Sequence, residues 1–329
     1  MSLSPHFRRL LTLALPVLLP VSFFAAERVE RKAFTIQGQL RPIPRFSTVT
    51  IAAAGSTFQA QSPIYWDGKF KFKNVQPGSY SVAVHVPRLG EFRQTYSVGP
   101  STADDKGRVK ISILVHPSRA SKVITPKDRF TVSAAKLSIP QSAWKEYSSA
   151  QRRIRKNDIA GAERHLKKAV EIAPQFSNAW NSLGTLSYGN KDYGKAAAHF
   201  REAIQVDPDA YEPVVNLGGA LLNLHQFEEA LKLNEDAVRR RPMDALANVQ
   251  LGANYLELKN PDLALKYLRE AKRLDPGHFA NPQMLLYEIY MKKGDRIAAA
   301  RELESFLRYH PDSPDAERLR NSARKLRAP

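Results

Sequence analysis

The sequence predicts a small antiparallel β-sandwich followed by an all-α solenoid of helical repeats, and two periodicities carry this prediction. In the second half of the chain, proline recurs every 34 residues, at Pro174, Pro208, Pro242 and Pro276. A fixed period of this length indicates one supersecondary unit that has been copied and stacked, and here the unit is a helix pair. Between residues 34 and 115, apolar and polar residues alternate instead. Because side chains two apart lie on one face of a strand, this alternation predicts strands with one buried face.

The first 26 residues have the composition of a secretory signal. Arg8 and Arg9 precede the apolar run Leu10–Phe24, and Ala25 and Ala26 offer small residues for cleavage. We therefore expect residues 1–26 to be removed and the protein to be exported, to the periplasm or the medium of a bacterium.

The alternative is an uncleaved segment that anchors the chain. The apolar run has about 15 residues, fewer than the ~20 that a spanning helix needs, and Pro16 and Pro20 interrupt it. No second apolar stretch of that length follows, so we expect no transmembrane helix in the mature chain.

The strands are expected within residues 30–116. Alternating apolar sets begin at Phe34, Phe70, Tyr80 and Val109, and turn signals such as Asp67-Gly68 separate them. Six or seven short strands in about 80 residues are typical of a small antiparallel sandwich.

The segment 67–82, DGKFKFKNVQPGSYSV, resembles the carboxypeptidase regulatory-like domain, a transthyretin-like sandwich. The resemblance implies a module without catalytic activity and with the general shape of carbohydrate-binding sandwiches. It raises the alternative that the module binds a glycan of the cell envelope on a flat aromatic platform. The candidate platform residues are Tyr65, Trp66, Phe92 and Tyr96.

Residues 117–140 contain Pro117 and Pro126 and show no sustained period, which predicts a linker between the two modules. The helical repeats, about five, are expected over 141–311. Residues 312–329 are expected to form a C-terminal capping helix with a polar outer face.

The repeats resemble the tetratricopeptide family. The second repeat shows the pattern most fully, in Trp180, Leu183, Gly184, Ala196, Phe200, Ala203 and Pro208. The small residues predict that the two helices of a repeat cross closely. The fifth repeat drifts, because Leu286 replaces the glycine and Pro311 comes one residue late.

The resemblance implies that the first helix of each repeat faces a concave groove that binds an extended peptide. The mapped groove residues are mostly amides and tyrosines: Asn178, Asn181, Thr185, Tyr188, Asn216, Asn223, Gln250, Gln283, Tyr287 and Tyr290. Asn and Gln both donate and accept, so they can pair with a peptide backbone. The Lys and Arg residues with which chaperone-binding members hold a terminal carboxylate are missing here. A non-enzymatic scaffold that binds another protein is therefore the expected function, although some of these Asn side chains could instead bridge neighbouring helices.

Composition limits the chemistry. The chain has no cysteine, which excludes disulfides and thiolate chemistry, and its eight histidines show no metal-site spacing. No phosphate-binding or nucleophile motif is present, so we predict no enzyme, no catalytic residue, no metal and no cofactor. The net charge of +18 favours an acidic envelope polymer or lipid head groups as additional partners, and export argues against nucleic acid.

Overall fold

A computed structural model describes residues 33–41, 48–53, 59–86, 90–114 and 138–328. The expected signal, residues 1–26, lies outside this range, as does most of the expected linker. The strands are Phe34–Arg41 (β1), Thr48–Ala53 (β2), Gln59–Ser62 (β3), Lys69–Val75 (β4), Gly78–Val86 (β5), Gly90–Val98 (β6) and Arg108–Leu114 (β7).

The helices follow the strands in the chain. They are Gln141–Arg155 (α1), Ile159–Ile172 (α2), Ser177–Gly189 (α3), Tyr193–Val206 (α4), Tyr211–Asn223 (α5), Phe227–Arg240 (α6), Ala245–Glu257 (α7), Pro261–Leu274 (α8), Pro282–Lys292 (α9), Arg296–Tyr309 (α10) and Ala316–Arg327 (α11). A β-rich region followed by tandem helix pairs is the predicted fold class, which is confirmed. None of the described helices has the length and apolar character to cross a membrane.

The strands form two sheets, one with the order β4-β1-β7 and the other with the order β3-β2-β5-β6. One pair departs from the antiparallel prediction, because β1 and β7 run parallel from Thr35↔Arg108 to Arg41↔Leu114. These strands stand at the two ends of the strand region, so no tight hairpin forces them to be antiparallel.

The alternating residues of each sheet are buried, as the period of two predicts. On β1 the buried set includes Ile36 and Leu40, and on β5 it includes Val82 and Val84. The Phe70 ring lies over Gly38 on the facing strand, where a Cβ atom would overlap it. The glycine therefore makes room for the most deeply buried phenylalanine ring of this sheet.

The helix pairs are closed by one turn that recurs along the chain. Its central residue has a left-handed backbone in each pair: Asn157, Lys191, His225, Lys259 and Gly294. In four of the five pairs, the next residue caps the second helix with its side chain: Asp158, Asp192, Asn260 and Asp295. Five such turns indicate five helix pairs, with α11 as an additional helix at the end.

The repeated glycines lie where the helices of a pair approach each other. A Cβ atom at Gly184 would overlap Phe200, and one at Gly252 would lie 2.6 Å from Leu268 Cγ. The predicted close crossing of the two helices is confirmed at these positions.

The chain divides into two compact units. One holds the strand region together with residues 243–329, and the other holds residues 122–242. Within the first unit, α11 packs its buried Leu319 and Ala323 against Leu303 and Phe306 of α10.

Within this first unit, the strand region also contacts the loop between α8 and α9. The carboxylate of Asp275 accepts hydrogen bonds from Thr95 N (3.0 Å) and Thr95 Oγ1 (2.6 Å), and both residues are buried. A Cβ atom at Gly277 would lie 2.9 Å from Thr95 O, so the loop backbone approaches β6 closely. Because β6 is an edge strand of its sheet, Asp275 satisfies an N–H group that would otherwise point away from the sheet.

Two histidines are buried in the same unit. His278 Nδ1 accepts a hydrogen bond from Ala280 N (3.1 Å), and His310 lies against the Phe306 ring, with centroids 4.8 Å apart. Burial lowers the pKa of both imidazoles to about 4. Both side chains are therefore neutral at pH 7.

Candidate protein-binding surface

The first helices of the second and third repeats are joined by two polar contacts. Asn216 Nδ2 of α5 donates to Asn181 Oδ1 of α3 at 2.9 Å. Asn223 Nδ2 donates to Tyr188 Oη at 2.8 Å. All four residues are half-buried, so these contacts lie at the surface of the helix pair. The expectation that some of these amides bridge neighbouring helices is met here.

The Asn181–Asn216 contact uses only half of each amide. No hydrogen bond is recorded within residues 138–328 for Asn181 Nδ2 or Asn216 Oδ1. One donor and one acceptor therefore lie side by side on neighbouring helices. This pair matches the C=O and N–H groups of an extended peptide backbone.

The remaining predicted residues of α3 differ in their exposure. Asn178 is exposed, whereas Thr185 is half-buried and donates its hydroxyl to Asn181 O at 2.9 Å. The Tyr188 ring lies 5.1 Å from that of Tyr193, and burial raises the pKa of its phenol. Tyr188 is therefore neutral and serves as a hydrogen-bonding group with a large apolar area.

Two of the predicted groove residues, both in the first unit, are buried and do not face a groove. Gln250 and Gln283 are 1% and 0% exposed, so neither side chain faces a partner. Gln283 Nε2 donates to Pro276 O at 2.5 Å, which shows that this amide fastens the α8–α9 loop. The mapping by repeat position was wrong for these residues because it treats every repeat as equivalent, whereas this amide is used inside the fold.

The tyrosines of α9 remain at the surface. Tyr287 and Tyr290 are half-buried, and Tyr290 Oη accepts from Arg269 Nη2 at 2.7 Å. Tyr290 therefore already has a cationic partner from α8, while Tyr287 packs beside Leu303 and Phe306.

The four aromatic residues predicted as a sugar platform do not form one. Phe92 is 4% exposed and belongs to the core of the four-stranded sheet, and Tyr96 lies four residues further along β6 on the same face. Tyr65 and Trp66 lie instead in the turn before β4 and are 57% and 92% exposed. The prediction was wrong because alternation along β6 directs Phe92 and Tyr96 into the sandwich.

An aromatic cluster around the first helix of the first repeat was not predicted from the sequence. Trp144 is 42% exposed and lies 4.6 Å from Phe176 and 5.9 Å from Tyr147, between ring centroids. Trp144 and Tyr147 are three residues apart and so share a helix face, which is the signal that could have identified them.

The contact of Asp275 with Thr95 was also not predicted. The α8–α9 loop covers residues 275–281, whereas the corresponding loop between α4 and α5 covers only residues 207–210. The drift of the fifth repeat was the sequence signal of this longer loop. In the described part of the chain, no group of three His, Asp or Glu side chains could hold a metal ion.

The tetratricopeptide repeat is matched at residues 147–213, 187–250 and 245–278. The helical region therefore carries tetratricopeptide repeats.

Among curated proteins, the chain is similar to Hsp70-Hsp90 organizing protein 1 of Glycine max. The two are 23% identical over 193 residues, which is 59% of this chain and 32% of that protein. It is also similar to the DnaJ homolog subfamily C member 7 homolog of Schizosaccharomyces pombe, with 23% identity over 225 residues, 58% of this chain and 47% of that protein. The chain spans less than half the length of these relatives.

Among solved structures, the chain is similar to MamA 41-end from Desulfovibrio magneticus RS-1, with 21% identity and a TM-score of 0.48. The matched region covers 54% of this chain and 99% of that chain. The chain is also similar to PilW, a widely conserved type IV pilus biogenesis factor, with 20% identity and a TM-score of 0.48. Here the matched region covers 57% of this chain and 91% of that chain.

Proposed function

We propose that this protein is a non-enzymatic scaffold that binds an extended segment of another protein along α3 and α5, the first helices of its second and third repeats. The observation that carries the proposal is the Asn181–Asn216 pair, which leaves one amide donor and one carbonyl acceptor side by side on α3 and α5. The repeats supply the general class, because tetratricopeptide proteins bind other proteins or peptides.

The surface around this pair has the composition of a peptide-binding site. Asn178 is exposed beside it, and Tyr188 and Asn223 form the second polar contact between the same two helices. The amides can pair with the main chain of a bound segment, and the tyrosine adds apolar contact area. Binding of this kind depends on the backbone more than on one particular side chain of the partner.

The test is the binding of the full chain to an array of short peptides, followed by affinity measurements on the peptides that bind. The double variant Asn181→Ala, Asn216→Ala should weaken binding about tenfold or more, because it removes two backbone hydrogen bonds of about 1 kcal/mol each. Gln205→Ala is the matched control, since Gln205 is an exposed amide on α4, the second helix of its repeat. Unchanged affinity in a double variant whose helical circular dichroism is intact would remove this assignment.

Export to the periplasm or medium of a bacterium is part of the same proposal, as is the kinship of the strand region to carboxypeptidase regulatory-like domains. The support is the arrangement Arg8-Arg9, Leu10–Phe24, Ala25-Ala26, and the segment Asp67–Val82. Amino-terminal sequencing of the protein recovered from the envelope fraction tests export, and a chain that begins at Met1 would favour the anchored alternative.

A further inference from the structure

The outer face of the sheet β4-β1-β7 is covered with cationic and amide side chains. Alternation places the following residues on this face, which we call the basic sheet face: Gln37, Gln39 and Arg41 of β1, Lys69, Lys71 and Lys73 of β4, and Arg108, Lys110 and Ser112 of β7. The strand register aligns Lys71, Gln37 and Lys110 in one row across the three strands. The cations therefore lie in a regular plane.

Only part of this charge is compensated. Asp67 pairs with Lys69 (2.5 Å), and Asp104 pairs with Arg108 (2.8 Å). The Arg108 guanidinium, together with backbone N–H groups, lowers the pKa of Asp104 to about 2. The face thus sets two ionised carboxylates against six cationic side chains.

Lys71 and Lys73 have no ion-pair partner in the part of the chain that the structure describes, and both are exposed. Their charges face water along the outer edge strand of the sheet. An anionic layer laid on this face would meet them without having to break an existing ion pair.

An exposed aromatic turn adjoins the same face. Gly68 N donates to Tyr65 O and Tyr65 N donates to Lys69 O, both at 2.8 Å, so the turn is tightly closed. Trp66 at its tip is 92% exposed, which leaves nearly the whole indole in water. A hollow of about 320 Å³ separates the turn from Gln37 and Lys71.

We propose that the basic sheet face and the Tyr65–Gly68 turn dock together onto an anionic lipid bilayer. Trp66 enters the interfacial region, where indole rings have both apolar and polar surroundings. Lys71 and Lys73 lie against the phosphate groups, and the hollow beside the turn accommodates one of them. This inference does not depend on the proposed peptide-binding surface.

The geometry favours a bilayer over a glycan or an acidic peptide. A stacking platform for a sugar needs a ring that its neighbours hold in place, whereas the Trp66 side chain stands almost free of the protein. An acidic peptide would be bound best in a groove lined by cations, whereas these cations lie in one plane. A plane of cations beside a projecting indole is complementary to a flat, charged, partly apolar surface.

The experiment measures co-sedimentation of the full chain with vesicles of phosphatidylcholine alone and of phosphatidylcholine mixed with phosphatidylglycerol. Any contribution of the apolar run Leu10–Phe24 is common to both vesicle types, so the informative quantity is the ratio of the two partition coefficients. Lys71→Gln with Lys73→Gln should lower this ratio about 30-fold, from about fivefold for each lysine. Trp66→Ala should lower partitioning onto the anionic vesicles about tenfold.

The matched control is Lys168→Gln with Lys232→Gln, which removes the same charge from exposed positions on α2 and α6. It should change the ratio by less than about twofold. Because the chain has three tryptophans, the difference in emission between the parent and Trp66→Ala isolates Trp66, which should shift to the blue on anionic vesicles.

Three results would overturn the proposal. Equal losses in the two double-lysine variants would mean that net charge alone attracts the chain. An unshifted Trp66 emission would mean that the turn stays in water. Tighter binding to soluble polygalacturonate than to vesicles, with the same dependence on Lys71 and Lys73, would mean that the basic sheet face binds an acidic polysaccharide instead.

Discussion

The buried carboxylate of Asp275 allows a quantitative test of how the strand region is attached to the α8–α9 loop. Asp275→Ala removes two hydrogen bonds, of 3.0 and 2.6 Å, from Thr95. Bonds to a charged acceptor contribute about 1.5–3 kcal/mol each, so the loss of two should be about 3–6 kcal/mol. This is a large fraction of the 5–15 kcal/mol by which a typical domain is stable.

Two assays measure this loss. Urea unfolding reports the change in the free energy of unfolding, and hydrogen exchange reports protection of the Thr95 amide itself. That amide should exchange at least about 100-fold faster in the variant, since about 3 kcal/mol of protection is lost. Thr95→Val removes only the hydroxyl bond and should cost less than Asp275→Ala.

Asp312→Ala is the comparator. Asp312 also accepts from a strand-region backbone group, Ser101 N, at 3.2 and 3.3 Å, but this contact is exposed. Exposed contacts of this kind contribute about 0–1 kcal/mol. If Asp275→Ala costs no more than Asp312→Ala, burial does not strengthen the contact and the reasoning fails.

Two further predictions concern the cores and the buried histidines. Gly38→Ala should cost about 1–3 kcal/mol of unfolding free energy because its methyl group would overlap the Phe70 ring. Gly189→Ala is the control and should cost far less, because a Cβ atom there meets nothing within 4 Å. Equal effects of the two substitutions in urea unfolding would contradict this prediction. His278 and His310 have pKa values of about 4 in the folded protein, below the ordinary 6.5. As the pH falls, the unfolded chain therefore takes up protons first. The free energy of unfolding should decrease between about pH 6.5 and about pH 4, by up to about 3 kcal/mol for each histidine. His278→Gln should remove about half of this dependence, and a pH profile of unfolding that the substitution leaves unchanged would show that His278 is not buried and neutral.

The repeat architecture could be predicted in detail because its signals are local. Pro208 ends a helix by its own covalent structure, and Gly184 marks a helix crossing through its missing side chain. The turn that closes each pair was not predicted, although it is also local: its left-handed residue recurs every 34 residues from Asn157 to Lys259.

Contacts between distant segments could not be read in the same way. The sequence around Asp275 does not predict its contact with Thr95, because the two residues are 180 positions apart. The parallel pairing of β1 and β7 is hidden for the same reason, since alternation predicts which face is buried but not the direction of the neighbour. The use of Gln283 inside the fold, where it donates to Pro276 O, could not be predicted from its repeat position either.

Asp275 is synthesised long after Thr95, and this delay has a consequence during translation. A ribosome that adds 5–20 residues per second needs about 9 to 36 s to travel the 180 residues from Thr95 to Asp275. Throughout that interval, the open edge of β6 lacks its partner and can pair with a strand from a neighbouring nascent chain. Slower translation of the helical region would therefore lengthen the time for which this edge is exposed.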